Sequence, residues 1–309
     1  MQRFGVRFGV KPRGFCAHDC DKHYKWILYR HEYGTEVSDE VLNAFSVDLE
    51  DWFCVANMEK VFPRDSWESI PLRVESSSRL LLEILESAGV KATFFVLGWI
   101  AERCPELIER IYEAGHEIAV HGYAHARIAA LDPTDFEADL DRALDAVSRI
   151  VPRSAIRGYR APSFSIMEKT SWALDVLASR GLRYDSSIFP AAGHPDYGWA
   201  EVSPEIHRLS NGLLEFPMTP GVGGGYFRLL PYFLTRRLIR RANNDGRPAV
   251  FYVHPWELDV EQPRVKLPAT KRFRHYVNLR RTSARLRRLL SDFKFTTLSE
   301  VLDRYERKK

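Results

Sequence analysis

Residues 91–125 read KATFFVLGWIAERCPELIERIYEAGHEIAVHGYAH, and this stretch decides the fold. Lys91 to Leu97 is an apolar run of strand length. Pro105 to Ala114 has proline at its first turn and Gly115 as its stop, the signature of a short helix, and Glu117 to His121 is a second short apolar run. A strand, a helix and a strand in that order predict parallel pairing. The alternation continues on both sides. Strands are expected at Asn43 to Leu49, Ile156 to Arg160, Arg183 to Ser187, Leu213 to Met218, Ala249 to His254 and Phe293 to Leu298. Helices are expected at Ser76 to Ala88, Thr134 to Ile150, Met167 to Arg180 and Pro231 to Asn243. So many units place the chain in the α/β class, as a distorted (β/α)7–8 barrel in preference to an open doubly wound sheet.

Composition excludes several classes. The 309 residues are 45% hydrophobic and 12% aromatic, enough to bury a large core. Lys and Arg total 45 against 41 Asp and Glu, so net charge gives no reason to expect a nucleic-acid partner. Cys16, Cys20, Cys54 and Cys104 are too few and too irregular for a disulfide framework. No apolar run approaches the roughly 18 residues of a membrane span. The opening MQRFGVRFGVKPRGF lacks the apolar centre of a secretory signal. A cytoplasmic protein is expected, with the periphery of the inner membrane as an alternative. Residues 1–40 show no period and read as a disordered extension, or as the result of an upstream start with the true start near Val41. Within them Cys16-x-His18-x-Cys20-x-x-His23 matches no common closed zinc site.

In a barrel of this kind functional residues gather at the C-terminal ends of strands. Asp48, Glu50 and Asp51 end the first strand, His121 the third, Arg160 the fourth and His254 the seventh, and Asp185 sits in the fifth. In Phe45-Ser46-Val47-Asp48-Leu49-Glu50 the apolar residues share one face, which puts Asp48 and Glu50 together on the other. Two close carboxylates repel unless a cation or a proton intervenes. His121 and His125, four apart across the turn after a strand, have the spacing to converge on one ion. His116, at the other end of its strand, is expected to be structural. Two histidines and a carboxylate suit a hydrolytic zinc site or a non-haem iron oxygenase.

Five segments in order resemble the motifs of the polysaccharide deacetylases, the NodB homology domain of carbohydrate esterase family 4. SVDLEDWF resembles the first motif, GHEIAVHGYAH the second, GYRAPSFS the third and FYVHPWE the fifth. YDSSIFP stands for the fourth but lacks the usual Asp-Trp ending. Within the family the chain is most similar to the branch of bacterial exopolysaccharide loci associated with exosortase. That likeness rests on Val-Asp-x-Glu-Asp-Trp, YDSSIFP and GGGYFRLLPYF, and it runs on through Phe293 to Leu302. It implies one deacetylase domain over 41–309, with a branch-specific part over about 258–309.

The resemblance implies a divalent metal, zinc first, with cobalt, nickel or iron as alternatives, held by His121, His125 and a carboxylate. Parity favours Glu50 as that carboxylate. The family's usual aspartate and the expected turn favour Asp51, to which the reading leans. Asp48 is the implied general base, Arg160 the residue that orients it, His254 the general acid and Asp185 a partner of His254. Tyr159, Pro162 and Trp256 are the implied substrate contacts. In Gly223 to Arg228, Tyr226 and Arg228 are candidates to meet a sugar; ordinary loop is the other reading. Lys271 to Arg288 holds eight Lys or Arg residues and reads as a solvated helix face, or as a patch for anionic glycan or lipid phosphate. The expected partner is an N-acetylated glycan or a lipid-linked sugar. Hydrolysis of a small amide and non-catalytic glycan binding are the alternatives, whereas an iron oxygenase requires neither Asp48 nor His254.

Overall fold

Every residue of β1 (Asn43–Leu49) is buried, because both faces of this strand are covered. Phe45, Val47 and Leu49 point outward into a core shared with the surrounding helices, where they meet Phe94, Val96, Ile118 and Val120. Ala44 points inward with Phe95, Ala119, Tyr184 and Tyr252. The alternation that divides apolar from polar residues in the sequence therefore divides an outer from an inner face.

The structure, a computed structural model, describes residues 41–191 and 197–308, all within one compact unit. The segment 1–40, with its Cys16, His18, Cys20 and His23 cluster, lies outside the described residues. After β1 come β2 (Thr93–Val96), β3 (Glu117–Val120), β4 (Gly158–Tyr159), β5 (Tyr184–Asp185), β6 (His207–Arg208), β7 (Leu214–Glu215), β8 (Val250–Val253) and β9 (Phe295–Thr296). The sheet runs β6-β7-β5-β4-β3-β2-β1-β8, with β9 paired to the start of β1. All pairs are parallel except the β6–β7 hairpin. Among the described residues no strand joins β8 to β6, so the sheet is an α/β half-barrel, the distorted form of the expected barrel.

Helices flank the sheet much as the periodicity predicts, at Val74–Ser87, Pro105–Glu113, Pro133–Ser148, Trp172–Ser179 and Tyr232–Asn244. The fourth starts later than expected because Thr170 closes a separate 3-10 turn, accepting the Met167 N–H at 2.8 Å. The glycine cluster is not loop but the start of a helix, Gly224–Leu229. A Cβ at Gly223 would lie 2.5 Å from Tyr252, so glycine is what lets this helix close on β8. Two more helices, Ala269–Tyr276 and Leu279–Asp292, pack beside it, and the second turns Leu286, Leu289 and Leu290 into the core.

Candidate active site

Parity carries four polar side chains to the inner face at the C-terminal edge: Asp48 near the end of β1, Glu50 just after it, His121 after β3 and His254 after β8. Arg160, after β4, joins them and is fully buried. Its Nη1 donates to Asp48 Oδ1 at 2.7 Å and to Ser46 Oγ at 2.8 Å, and its Nε donates to the Ser186 carbonyl at 3.0 Å. The guanidinium lies 4.0 Å from the centre of the Phe95 ring. Held at so many points, Arg160 fixes the Asp48 carboxylate in one orientation.

One nitrogen or oxygen from each of Glu50, His121 and His125 falls within 4.8 Å of the other two. His121 Nδ1 donates to the Arg160 carbonyl at 2.8 Å, which leaves Nε2 without its proton and free as a ligand. Burial holds the His121 pKa down at about 4, which favours the neutral, ligating form. His125 reaches the cluster through a tight turn. Gly122 has φ of +71°, the Tyr123 N–H donates to Asp139 Oδ2 at 2.9 Å, and His125 itself adopts φ of +56°. A non-glycine residue in the left-handed region is rarely cheap, so the turn is specified at both ends.

The donor set fits a divalent ion. Glu50 Oε2 is buried and accepts no hydrogen bond, although His125 Nε2 stands 3.1 Å away. Burial alone would raise the Glu50 pKa, but His125, His254 and His121 outweigh it and bring it down to about 2, so the carboxylate is charged. A buried carboxylate with an orphaned oxygen beside two imidazoles is a donor set that a divalent cation would suit.

Asp51 does not join this set, contrary to the expectation that leaned towards it. Its side chain leaves β1 on the opposite face and accepts the N–H groups of Trp52 at 2.8 Å, Arg73 at 2.6 Å and Val74 at 2.9 Å. It caps the start of helix Val74–Ser87, where the unpaired amides of a first turn attract an anion.

His254 stands opposite the histidine pair. Its Nε2 lies 3.4 Å from Glu50 Oε1 and 3.9 Å from Asp48 Oδ2, and its Nδ1 donates to Glu257 Oε2 at 3.0 Å. Burial works against its charge, yet the Glu257 hydrogen bond, then the charges of Glu257, Glu50 and Asp48, raise its pKa to about 9. Sequence reasoning missed Glu257. The signal was an acid three residues after His254 in FYVHPWE, since the same carboxylate accepts the His254 N–H at 3.0 Å and closes the turn Pro255–Leu258.

Several expected contacts are corrected. Asp185 does not reach His254: it sits one residue out of phase, on the outer face, accepting Ser187 N–H and Oγ–H and facing Glu215 across β5 and β7. The Tyr159 side chain is fully buried on that same outer face, against Phe136. Pro162 is buried at the start of a tight turn. Arg228 is buried, only 2% exposed, and its Nε donates to Glu257 Oε1 at 2.5 Å, so it braces the partner of His254. Trp256 is buried too, stacked on His254 at 5.3 Å, with its Nε1 donating to Glu50 Oε1 at 3.3 Å. Tyr226 stays at the surface, its hydroxyl 3.2 Å from that of Tyr197. His116 is structural, as expected: its Nδ1 accepts the Ala92 N–H at 3.1 Å.

Fold and site together define a parallel α/β half-barrel with a two-histidine, one-glutamate cluster at its C-terminal edge. Comparison with known proteins makes this more particular. Residues 66–184 match the polysaccharide deacetylase family, and residues 186–303 match a domain of unknown function, DUF3473. The chain is 30% identical over 156 residues to a peptidoglycan deacetylase-like protein of Gibberella zeae, covering 44% of each chain. It is 35% identical over 99 residues to a chitooligosaccharide deacetylase of Sinorhizobium fredii, covering 32% of this chain and 43% of that one. The matches thus span less than half the length of these curated relatives. A crystal structure of a putative polysaccharide deacetylase from Mycobacterium smegmatis superposes with a TM-score of 0.61 at 22% identity, over 86% of this chain and 90% of that one, and shows the same fold. These findings support a polysaccharide deacetylase domain in the chain. His121, His125 and Arg160 lie in the first matched span, His254, Glu257 and Arg228 in the second, and Asp48 and Glu50 ahead of both.

Proposed function

We propose that the protein is a metal-dependent hydrolase that removes N-acetyl groups from an exopolysaccharide or its sugar precursor. One observation carries the proposal: Glu50, His121 and His125 converge beside an arginine-held Asp48 and a glutamate-held His254. Glu50, His121 and His125 would hold a divalent ion, zinc by donor chemistry, which when bound acidifies water and polarises an acyl oxygen.

The rest of the chemistry belongs to the chain. Arg160 occupies Asp48 Oδ1 and leaves Oδ2 facing the site, where it can take a proton from the attacking water. His254 Nε2 points into the same space, and Glu257 on Nδ1 keeps the ring protonated and aimed. It can give that proton to the amine nitrogen as the carbon–nitrogen bond breaks and acetate leaves. Arg228 and Trp256 hold Glu257 and the His254 ring in place from behind. The relatives named for peptidoglycan and chitooligosaccharide support an N-acetylated glycan. The likeness of the first-motif, YDSSIFP and GGGYFRLLPYF segments to the exopolysaccharide branch favours exopolysaccharide among such glycans.

The test is acetate release from N-acetylhexosamine oligomers and from extracted exopolysaccharide, comparing wild type with Asp48→Asn. The variant should bind zinc as wild type does and lose about 10²–10⁴ in rate. Full activity in a variant that still binds zinc removes Asp48 as the base. No acetate from any N-acetylated glycan removes the whole reading.

A further inference from the structure

Between Arg264 and Arg288 the chain carries ten Lys or Arg residues and no Asp or Glu. On a solvated helix face such a run would need no ligand, but its first half is folded into a concave site. A cleft of about 850 Å³ is lined by Arg264, Lys266 and Arg272, alternating with Val265, Leu267 and Phe273. Among the described residues none of these three cations has a carboxylate partner. Phe273 is 57% exposed. The cleft has the size of a small-molecule site and the mixed lining of one.

Its walls are built rather than incidental. The Tyr276 hydroxyl donates to the Pro263 carbonyl at 2.9 Å and accepts the Val265 N–H at 3.1 Å, and the Arg264 guanidinium lies 4.3 Å from the Tyr276 ring. Behind them the buried Arg228 donates to the carbonyls of Arg274, His275 and Val277 at 3.1, 2.8 and 3.1 Å. The His275 ring stacks on Trp256 at 4.5 Å, and Trp256 in turn stacks on His254. The helix that forms the cleft is therefore locked to the same side chains that hold the proposed acid.

We infer that this cleft binds a stretch of anionic glycan, so that the polymer presented to the site carries carboxylates or phosphates as well as acetamides. The inference rests on the deacetylase reading and narrows its substrate class. Guanidinium groups match planar carboxylates and phosphates in fork geometry. The apolar side chains between them suit the C–H faces of sugar rings. A bilayer is a plane and is met by a protruding apolar tip ringed with cations, whereas these cations line a hollow.

Hyaluronan oligosaccharides supply the anion as carboxylate, phosphomannan oligosaccharides supply it as phosphate, and chitin oligomers of equal length are the neutral control. Binding to each is measured by calorimetry at low and high salt, for wild type, for the double variant Lys266→Glu with Arg272→Glu, and for Phe273→Ala. Wild type should bind one of the two anionic probes and lose affinity as salt rises, and the double variant should bind it about tenfold more weakly. Acetate release from chitin oligomers should be unchanged in both variants. Anionic probes that bind no better than chitin overturn the inference. So does retention of full affinity in the double variant, and so does binding only to vesicles of equal phosphatidylcholine and phosphatidylserine. If wild type binds an anionic probe in this way yet never releases acetate from any glycan, the deacetylase reading fails and the cleft assignment stands.

Discussion

Glu50 and Asp51 are neighbours in the chain with opposite surroundings, one between two imidazoles and the other on three backbone amides. Their substitutions should therefore separate. Glu50→Gln should cut zinc affinity by at least about 10–100-fold, the range that outer partners alone command. Asp51→Asn should leave zinc affinity unchanged and cost about 1–3 kcal/mol of stability, since an amide satisfies the three N–H donors less well. Zinc titration and urea denaturation of both variants read the two outcomes, and a zinc-binding defect in Asp51→Asn alone reverses the assignment. At the same scale Glu257→Gln should lower kcat by about 10²-fold with little change in KM, because the ring of His254 loses the anion that aims and charges it. A rise in KM at constant kcat would instead place Glu257 in substrate binding. The two-residue period of β1 places Glu50 on the inner face with the histidines, whereas residue type pointed to Asp51, whose carboxylate is taken up by backbone amides. That period applied to β4 and β5 also separates Arg160 from Tyr159 and sets Asp185 apart from the site.

Among the elements, the pairing of β5 with β7 sets two carboxylates, Asp185 and Glu215, opposite each other in the interior. Burial raises both, Glu215 well above its ordinary value, where the Asp185 charge raises it further. A carboxyl raised in the folded state contributes stability that is full below its unfolded pKa and is lost as pH rises towards the folded value. Stability should thus decline from about pH 5 upward, and Glu215→Gln should flatten that decline. Denaturation midpoints across this range check it; equal slopes in the two proteins would contradict it. Strand and helix positions were legible because their periods are local. The helix at Gly224–Leu229 was not, since its glycines answer to the Tyr252 ring on a distant strand, and neither were the two-residue strand His207–Arg208 and the buried role of Arg228. Each is decided by what packs against it from far along the chain.

Across the whole molecule the site draws on three parts of the chain: β1 with Asp48 and Glu50, ahead of both matched spans, and the two spans themselves. The first span brings the histidine pair and Arg160, and the second brings β8 with His254, the Glu257 and Arg228 brace, and the helix Leu279–Asp292 that packs on the turn Pro255–Leu258. The second span therefore supplies the proposed acid and its brace, while β1 and the first span supply Glu50, His121 and His125, the proposed ion ligands. The most direct measurement is acetate release from an N-acetylhexosamine oligomer by metal-stripped protein as zinc is added back. No release is expected at the start, then a rise that levels off at one zinc per chain, and no restoration in His125→Ala at that stoichiometry. Full activity in the stripped protein, or restoration in His125→Ala equal to wild type, would contradict the proposed ion site.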